Sequence, residues 1–148
     1  MLGLRAVDLE RLLWGNCSFC TSTQAPILVV DSDRDSLGLT VELLKLCGYW
    51  AIAATCSQTA LQLFTESHPP LVLLELMLPE IDGFALTRYL RQQSSCPIIT
   101  VTSLPRYLFQ RDAFAAGCNE YIEKPIDLEQ FTATVQHYLN TSFFLPWE

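Results

Sequence analysis

Residues 71–84 read LVLLELMLPEIDGF. Leu71–Leu74 is a short apolar run of the kind that forms a strand buried on both faces. Glu75 then sets a carboxylate near the carboxyl end of that strand, and Pro79 and the Asp82-Gly83 pair break the chain into a turn. Phe84, Leu86 and Leu90 open a helix-spaced stripe beyond it. Open α/β sheets carry their ligands and chemistry outside the carboxyl ends of the strands. Glu75 is therefore a candidate functional carboxylate; the alternative from this stretch alone is a side chain that simply reaches solvent at the sheet edge.

The same grammar repeats on both sides. Ile27-Leu28-Val29-Val30 is followed by Asp31-Ser32-Asp33, and Leu37, Val41, Leu43 and Leu44 then keep helical spacing to a stop at Cys47-Gly48. Tyr49–Ala54 is a weaker strand. Ser57 is the expected N-cap of a helix carrying Ala60, Leu61 and Phe64, stopped before Pro69-Pro70. The helix after the central turn is expected from about Phe84 to Gln93. Ile98–Val101 is a strand leading to Thr102-Ser103, and a helix starts near Pro105, in its first turn, and ends at Gly117. Glu120–Glu123 is a short strand closed by Lys124-Pro125. The last helix starts after Ile126 with Asp127 as N-cap and carries Leu128, Phe131, Val135, Tyr138 and Leu139. Strands alternating with helices in this way predict an α/β fold, a doubly wound five-stranded parallel sheet with helices on both faces. All carboxyl ends of such a sheet point to one rim, so Asp31, Glu75, Thr102 and Lys124 are expected to share a crevice.

With 148 residues, 50% of them hydrophobic, the chain suits one compact domain. Nine basic against sixteen acidic residues leave a net charge of −7, with no Lys/Arg cluster, which argues against direct nucleic-acid binding. Residues 1–25 form an extension, 26–140 the domain and 141–148 a tail rich in aromatic residues. In the extension Leu4, Val7, Leu12 and Leu13 could line a short helix with Trp14 nearby, to pack on the domain, join an oligomer or stay unstructured. Asp8, Glu10 and Arg11 fall where a secretory peptide needs its apolar region. No run reaches the roughly 20 apolar residues of a membrane span, so a cytoplasmic location is expected. Cys17 and Cys20 have the spacing of a redox or metal half-site but lack a second pair nearby; free thiols of no defined role is the plainer reading. Of the other cysteines, those inside or beside apolar elements behave as small hydrophobes.

Taken in order, ILVVDSD, LVLLELMLPEIDG, the IITVTS strand end and YIEKPI resemble the receiver domain of bacterial two-component response regulators, the CheY-like family, over about residues 26 to 140. The resemblance implies the flavodoxin-like strand order 2-1-3-4-5. It also implies that the position of Glu75 is that of an aspartate which accepts a phosphoryl group. Mg2+ is held in the family by two acidic residues after strand one, here Asp31 and Ser32, and by a backbone carbonyl, here that of Met77. Thr102 matches the hydroxyl residue that follows the phosphoryl group, Tyr121 the aromatic switch and Lys124 the pocket lysine. Lys124-Pro125 matches a bond that is usually cis in the family.

Two departures define the functional expectation. Glu75 has one methylene more than the family aspartate, lengthening the arm by about 1.5 Å, and misplacement of about 1 Å can cost on the order of 100-fold in a catalysed step. Ser32 offers a neutral hydroxyl where a carboxylate would face Mg2+. These departures describe a degenerate receiver with Glu75 as pseudo-acceptor. Glu75 either imitates part of a phospho-aspartate's charge, fixing the domain through Lys124, or only balances charge against Lys124 and Asp31. Asp33 either caps the first helix or offsets Ser32 by holding a cation through water. The expected function is a phosphorylation-independent signalling module, not an enzyme, that needs no cofactor and at most binds Mg2+ weakly. It would act on a protein partner, a sensor kinase or an output protein, through helix 4, strand 5 and helix 5, with or without homodimerisation. Phe109, Tyr121, Phe131 and Tyr138 lie in that region. The alternatives are a phosphoryl-accepting receiver in a conventional phosphorelay, a thiol- or zinc-responsive adaptor through Cys17 and Cys20, and a structural subunit of a larger assembly.

Overall fold

The computed structural model describes residues 25–144. Strands and helices alternate strictly: β1 (Ile27–Val30), α1 (Arg34–Leu46), β2 (Ala51–Ala54), α2 (Ser57–Ser67), β3 (Val72–Leu74), α3 (Gly83–Gln93), β4 (Ile98–Thr102), α4 (Arg106–Ala116), β5 (Glu120–Glu123) and α5 (Leu128–Phe144). The strands form one sheet in the order β2-β1-β3-β4-β5, every pair parallel. This is the parallel sheet expected from the alternation of strands and helices, in the order that the family resemblance implies.

Side chains of successive strand residues leave the sheet on opposite faces, and both faces here are covered. Leu28, Val30, Val72, Leu74 and Ile98 meet Ala60 and Phe64 of α2, Leu86 and Leu90 of α3 and Ala113 of α4. Ile27, Val29, Leu73, Ile99 and Val101 meet Leu37 and Leu44 of α1 and Phe131 and Val135 of α5. That double covering is why the central strands read as unbroken apolar runs rather than alternating ones. At the amino end of the sheet, Arg91 donates to the carbonyls of Gly117 (2.9 Å) and Cys96 (2.7 Å) and to Asn119 Oδ1 (2.6 Å), tying α3 to the start of β4 and the end of α4.

β3 and β4 each differ from the sequence reading by one residue, and four other boundaries differ for identifiable reasons. β2 begins at Ala51, because the Tyr49 N–H donates back to the Leu44 carbonyl and closes α1 instead of extending the strand. Cys56, not Ser57, is the N-cap of α2, and its thiol faces the Thr59 hydroxyl at 3.2 Å rather than a backbone N–H. Only Thr55 and Cys56 separate β2 from α2, so the short connection outweighs the capping preference for serine. Pro105 lies one position outside α4, as its N-cap, with an extended ψ of 128°. Finally, α5 continues to Phe144, past the tail boundary expected at residue 141; no Gly or Pro interrupts the chain before Pro146. The extension with Cys17 and Cys20, and the last residues of the tail, lie outside the described residues. Among the described residues no helix is long and apolar enough to cross a membrane.

Candidate functional site

The four rim positions do meet. Asp31 directly follows β1, Glu75 follows β3, Thr102 ends β4 and Lys124 follows β5. Each is fixed by backbone bonds that prolong the ladder: Asp31 N–H donates to Ala54, Glu75 N–H to Val30 and Lys124 N–H to the Thr102 carbonyl, at 3.0, 2.9 and 2.8 Å. With backbones so held, the side chains converge. The Lys124 ammonium lies 2.8 Å from Asp31 Oδ2 and 3.0 Å from Glu75 Oε2. Glu75 Oε1 accepts the Met77 N–H at 3.0 Å and the Thr102 hydroxyl at 2.5 Å, the short end of the range for a hydroxyl on a carboxylate. Asp31 Oδ1 accepts the Asp33 N–H at 2.9 Å.

Asp31 and Glu75 are only 5% and 4% exposed, so their charges are tolerable only because every oxygen has a donor. Burial by itself would pull the Lys124 pKa down. The hydrogen bonds to Asp31 and Glu75 and their negative charges outweigh it, and the pKa is raised above the ordinary lysine value. The lysine thus stays charged and serves as the fixed counter-cation of the crevice.

From Thr102 the bonding continues into the β4–α4 loop. The Thr102 hydroxyl oxygen accepts the Leu104 N–H at 3.3 Å, and the Leu104 carbonyl accepts the Tyr121 phenol at 2.6 Å. Tyr121 is fully buried, and burial together with the charges of Glu123 and Glu75 pushes its pKa up to about 12. The Lys124-Pro125 bond is cis. On the other side of the crevice, the Gly83 N–H donates to the Leu76 carbonyl at 3.0 Å, folding the loop after Glu75 back on itself. A Cβ at Gly83 would run into the Leu76 backbone, so this approach requires glycine.

The structure gives several of the assigned residues definite surroundings, and Asp33 takes the capping role read from the sequence. Asp33 is the N-cap of α1 and accepts the Asp35 N–H at 3.1 Å. Met77 contributes its N–H to Glu75, whereas the resemblance singled out its carbonyl. Ser32 is half-buried beside Asp31. On the proposed partner face Tyr121 and Phe131 are buried and Phe109 and Tyr138 half-buried, while Tyr107 and Leu108 in the first turn of α4 are 85% and 58% exposed. The sequence reading passed over Glu123, which accepts the Arg106 N–H at 2.8 Å. Cys47, Cys56, Cys96 and Cys118 are free thiols. Among the described residues no group of three His, Cys, Asp or Glu side chains is arranged to hold a metal ion.

The family model of the response regulator receiver domain matches residues 27–136. The chain belongs to that family, the receivers of two-component signalling. It is similar to the polar-differentiation response regulator DivK of Brucella ovis, 30% identical over 116 residues that make up 76% of this chain and 94% of DivK. It is also 33% identical over 113 residues to a probable transcriptional regulator, ycf27, of Porphyridium aerugineum, of which the match spans 47%. Among solved structures it superposes on a two-component response regulator from Clostridium difficile with a TM-score of 0.75 at 27% identity, over 79% of this chain and 97% of that one. The receiver domain of NtrX from Brucella abortus gives a TM-score of 0.74 at 26% identity, over 78% and 98% of the two chains.

Proposed function

We propose that this chain is a degenerate receiver whose crevice is held in a single state by Glu75, without phosphorylation, and that it signals in the cytoplasm by contact with a protein partner through α4, β5 and α5. The observation that carries the reading is the bonding of one carboxylate: Glu75 takes the Thr102 hydroxyl on one oxygen and the Lys124 ammonium on the other. A single glutamate thereby engages both residues that the family resemblance assigns to a phosphoryl group, with about one negative charge rather than two. The buried Tyr121, bonded to Leu104, keeps the loop above in one position. The module catalyses no reaction of its own.

The donors present suit a divalent cation poorly. Ser32 brings a neutral hydroxyl, and the Lys124 ammonium stands within 3.0 Å of both carboxylates, where it offsets one of their two negative charges and occupies an oxygen of each. Mg2+ demands near-octahedral oxygen geometry and is usually held by one or two carboxylates together with substrate phosphate. No divalent cation is required in this reading.

The test is intact-mass analysis of the full chain and of Glu75→Asp after incubation with Mg2+ and a small phosphodonor, with NMR of Thr102 and Tyr121 alongside. The wild type is expected to gain no mass and to keep its Thr102 and Tyr121 signals. Glu75→Asp, its carboxylate drawn back by about 1.5 Å, is expected to release the Thr102 hydroxyl. A phosphoryl group on the wild type would return the chain to conventional phosphorelay chemistry. A Glu75→Asp protein identical to wild type at Thr102 and Tyr121 would refute the holding role.

A further inference from the structure

The start of α4 has an unusual arrangement. Its N-cap is Pro105, which has no side-chain acceptor for the first-turn amides, and Pro105 makes no side-chain cap bond. The missing acceptor comes from another strand: Glu123, the last residue of β5, accepts the Arg106 N–H at 2.8 Å. The β4–β5 register explains the reach, since Glu123 is paired with Thr102 at the end of β4. A carboxylate at this end of a helix also opposes the positive pole of its dipole.

The β4–α4 loop is thus gripped at both ends and in the middle. Thr102 is held through its hydroxyl by Glu75 and through its carbonyl by the Lys124 N–H, Leu104 through its carbonyl by Tyr121, and Arg106 through its N–H by Glu123. Three of these four bonds come from consecutive or nearly consecutive residues of β5 and its exit. Immediately beyond the last grip stand Tyr107 and Leu108, the most exposed large apolar residues of α4. Resting on the reading of Glu75 given above, we propose that Glu123 is the positioning residue that transmits the state of the Glu75–Thr102 crevice to the first turn of α4, and so sets the pose of Tyr107 and Leu108 toward a partner. Without the Glu123 bond the loop could move at Thr102 while the helix start stayed indifferent to it.

The experiment compares amide hydrogen exchange and NMR shifts of Arg106, Tyr107 and Leu108 in the full chain with Glu75→Gln, Glu123→Ala, Glu123→Gln and the two double variants. Glu123→Ala is expected to raise exchange at these amides about fivefold, as for a lost N-cap bond, with the sheet core unchanged. Glu75→Gln is expected to shift the same amides in the wild-type background and in Glu123→Gln, which keeps an acceptor oxygen, but not in Glu123→Ala. An equal Glu75→Gln effect in the wild-type and Glu123→Ala backgrounds would overturn the proposal while leaving the holding role of Glu75 intact. Silence of Glu75→Gln at α4 in every background would overturn the coupling together with its source; the phosphodonor experiment judges the unphosphorylated state separately. A uniform rise in exchange across the molecule in Glu123→Ala would mark a merely stabilising residue and overturn the proposal as well.

Discussion

Thr102→Val removes the hydroxyl at the centre of the crevice while nearly preserving side-chain shape. Two bonds change. The 2.5 Å bond to Glu75 Oε1 is lost, and so is the longer 3.3 Å bond from the Leu104 N–H. Glu75 is not orphaned, because the Met77 N–H and the Lys124 ammonium remain at 3.0 Å each. The larger part of the cost is that of one hydrogen bond to a charged acceptor, roughly 1.5–3 kcal/mol; the loss at the Leu104 N–H is the same in the wild-type and Glu75→Gln backgrounds and cancels between them. In Glu75→Gln the amide oxygen can still accept the Thr102 hydroxyl, but as a neutral acceptor worth about 0.5–1.5 kcal/mol. Lys124 in that variant keeps Asp31 at 2.8 Å, so no uncompensated charge is buried. Thr102→Val should then cost about 1 kcal/mol less in the Glu75→Gln background than in the wild type. Urea unfolding of the four proteins of the cycle, with unchanged m-values, reads this directly. A loss of about 2 kcal/mol would lower the melting temperature by roughly 4–8 °C in a chain of this size. Additivity within about 0.3–0.5 kcal/mol would refute the charged bond on which the holding role of Glu75 rests.

Two further outcomes follow from the geometry around the crevice. Gly83→Ala is expected to destabilise by about 1–3 kcal/mol, although alanine is the better helix former by about 1 kcal/mol, because the new Cβ meets the Leu76 backbone, which cannot rotate away; a more stable variant in urea would refute the close approach. Tyr121, with a folded pKa pushed up to about 12 against about 10 unfolded, contributes stability that is complete below pH 10 and disappears as pH rises through 12. Unfolding at pH 9 and pH 11 should show a larger alkaline loss in the wild type than in Tyr121→Phe. Lys124, also raised, titrates in both proteins and cancels in that comparison; equal losses would place the phenol outside the buried setting.

The crevice was legible in the sequence because parallel topology turns a local pattern into a shared location. Asp31 and Lys124 stand 93 positions apart, yet each directly follows a strand of one parallel sheet, and that alone sends both to one rim. Nothing so local announces Glu123. Its bond to Arg106 depends on the register of β5 against β4 and on where α4 leaves the loop, so in isolation it reads as an ordinary strand-end carboxylate. Cys56 displaced Ser57 as a cap for a similar reason, since the length of the β2–α2 connection is set by the sheet rather than by side-chain preference. The resemblance to the receiver family measured Glu75 against a shorter aspartate, and left open whether the longer arm fixes the domain through Lys124 or only balances charge. Its added methylene carries the carboxyl group to the Thr102 hydroxyl and the Lys124 ammonium at once, while one oxygen still accepts the N–H of Met77 two residues on. Sequence comparison can pose those two alternatives, but where both oxygens of Glu75 end depends on how β3, β4 and β5 lie side by side, which no single stretch of sequence carries.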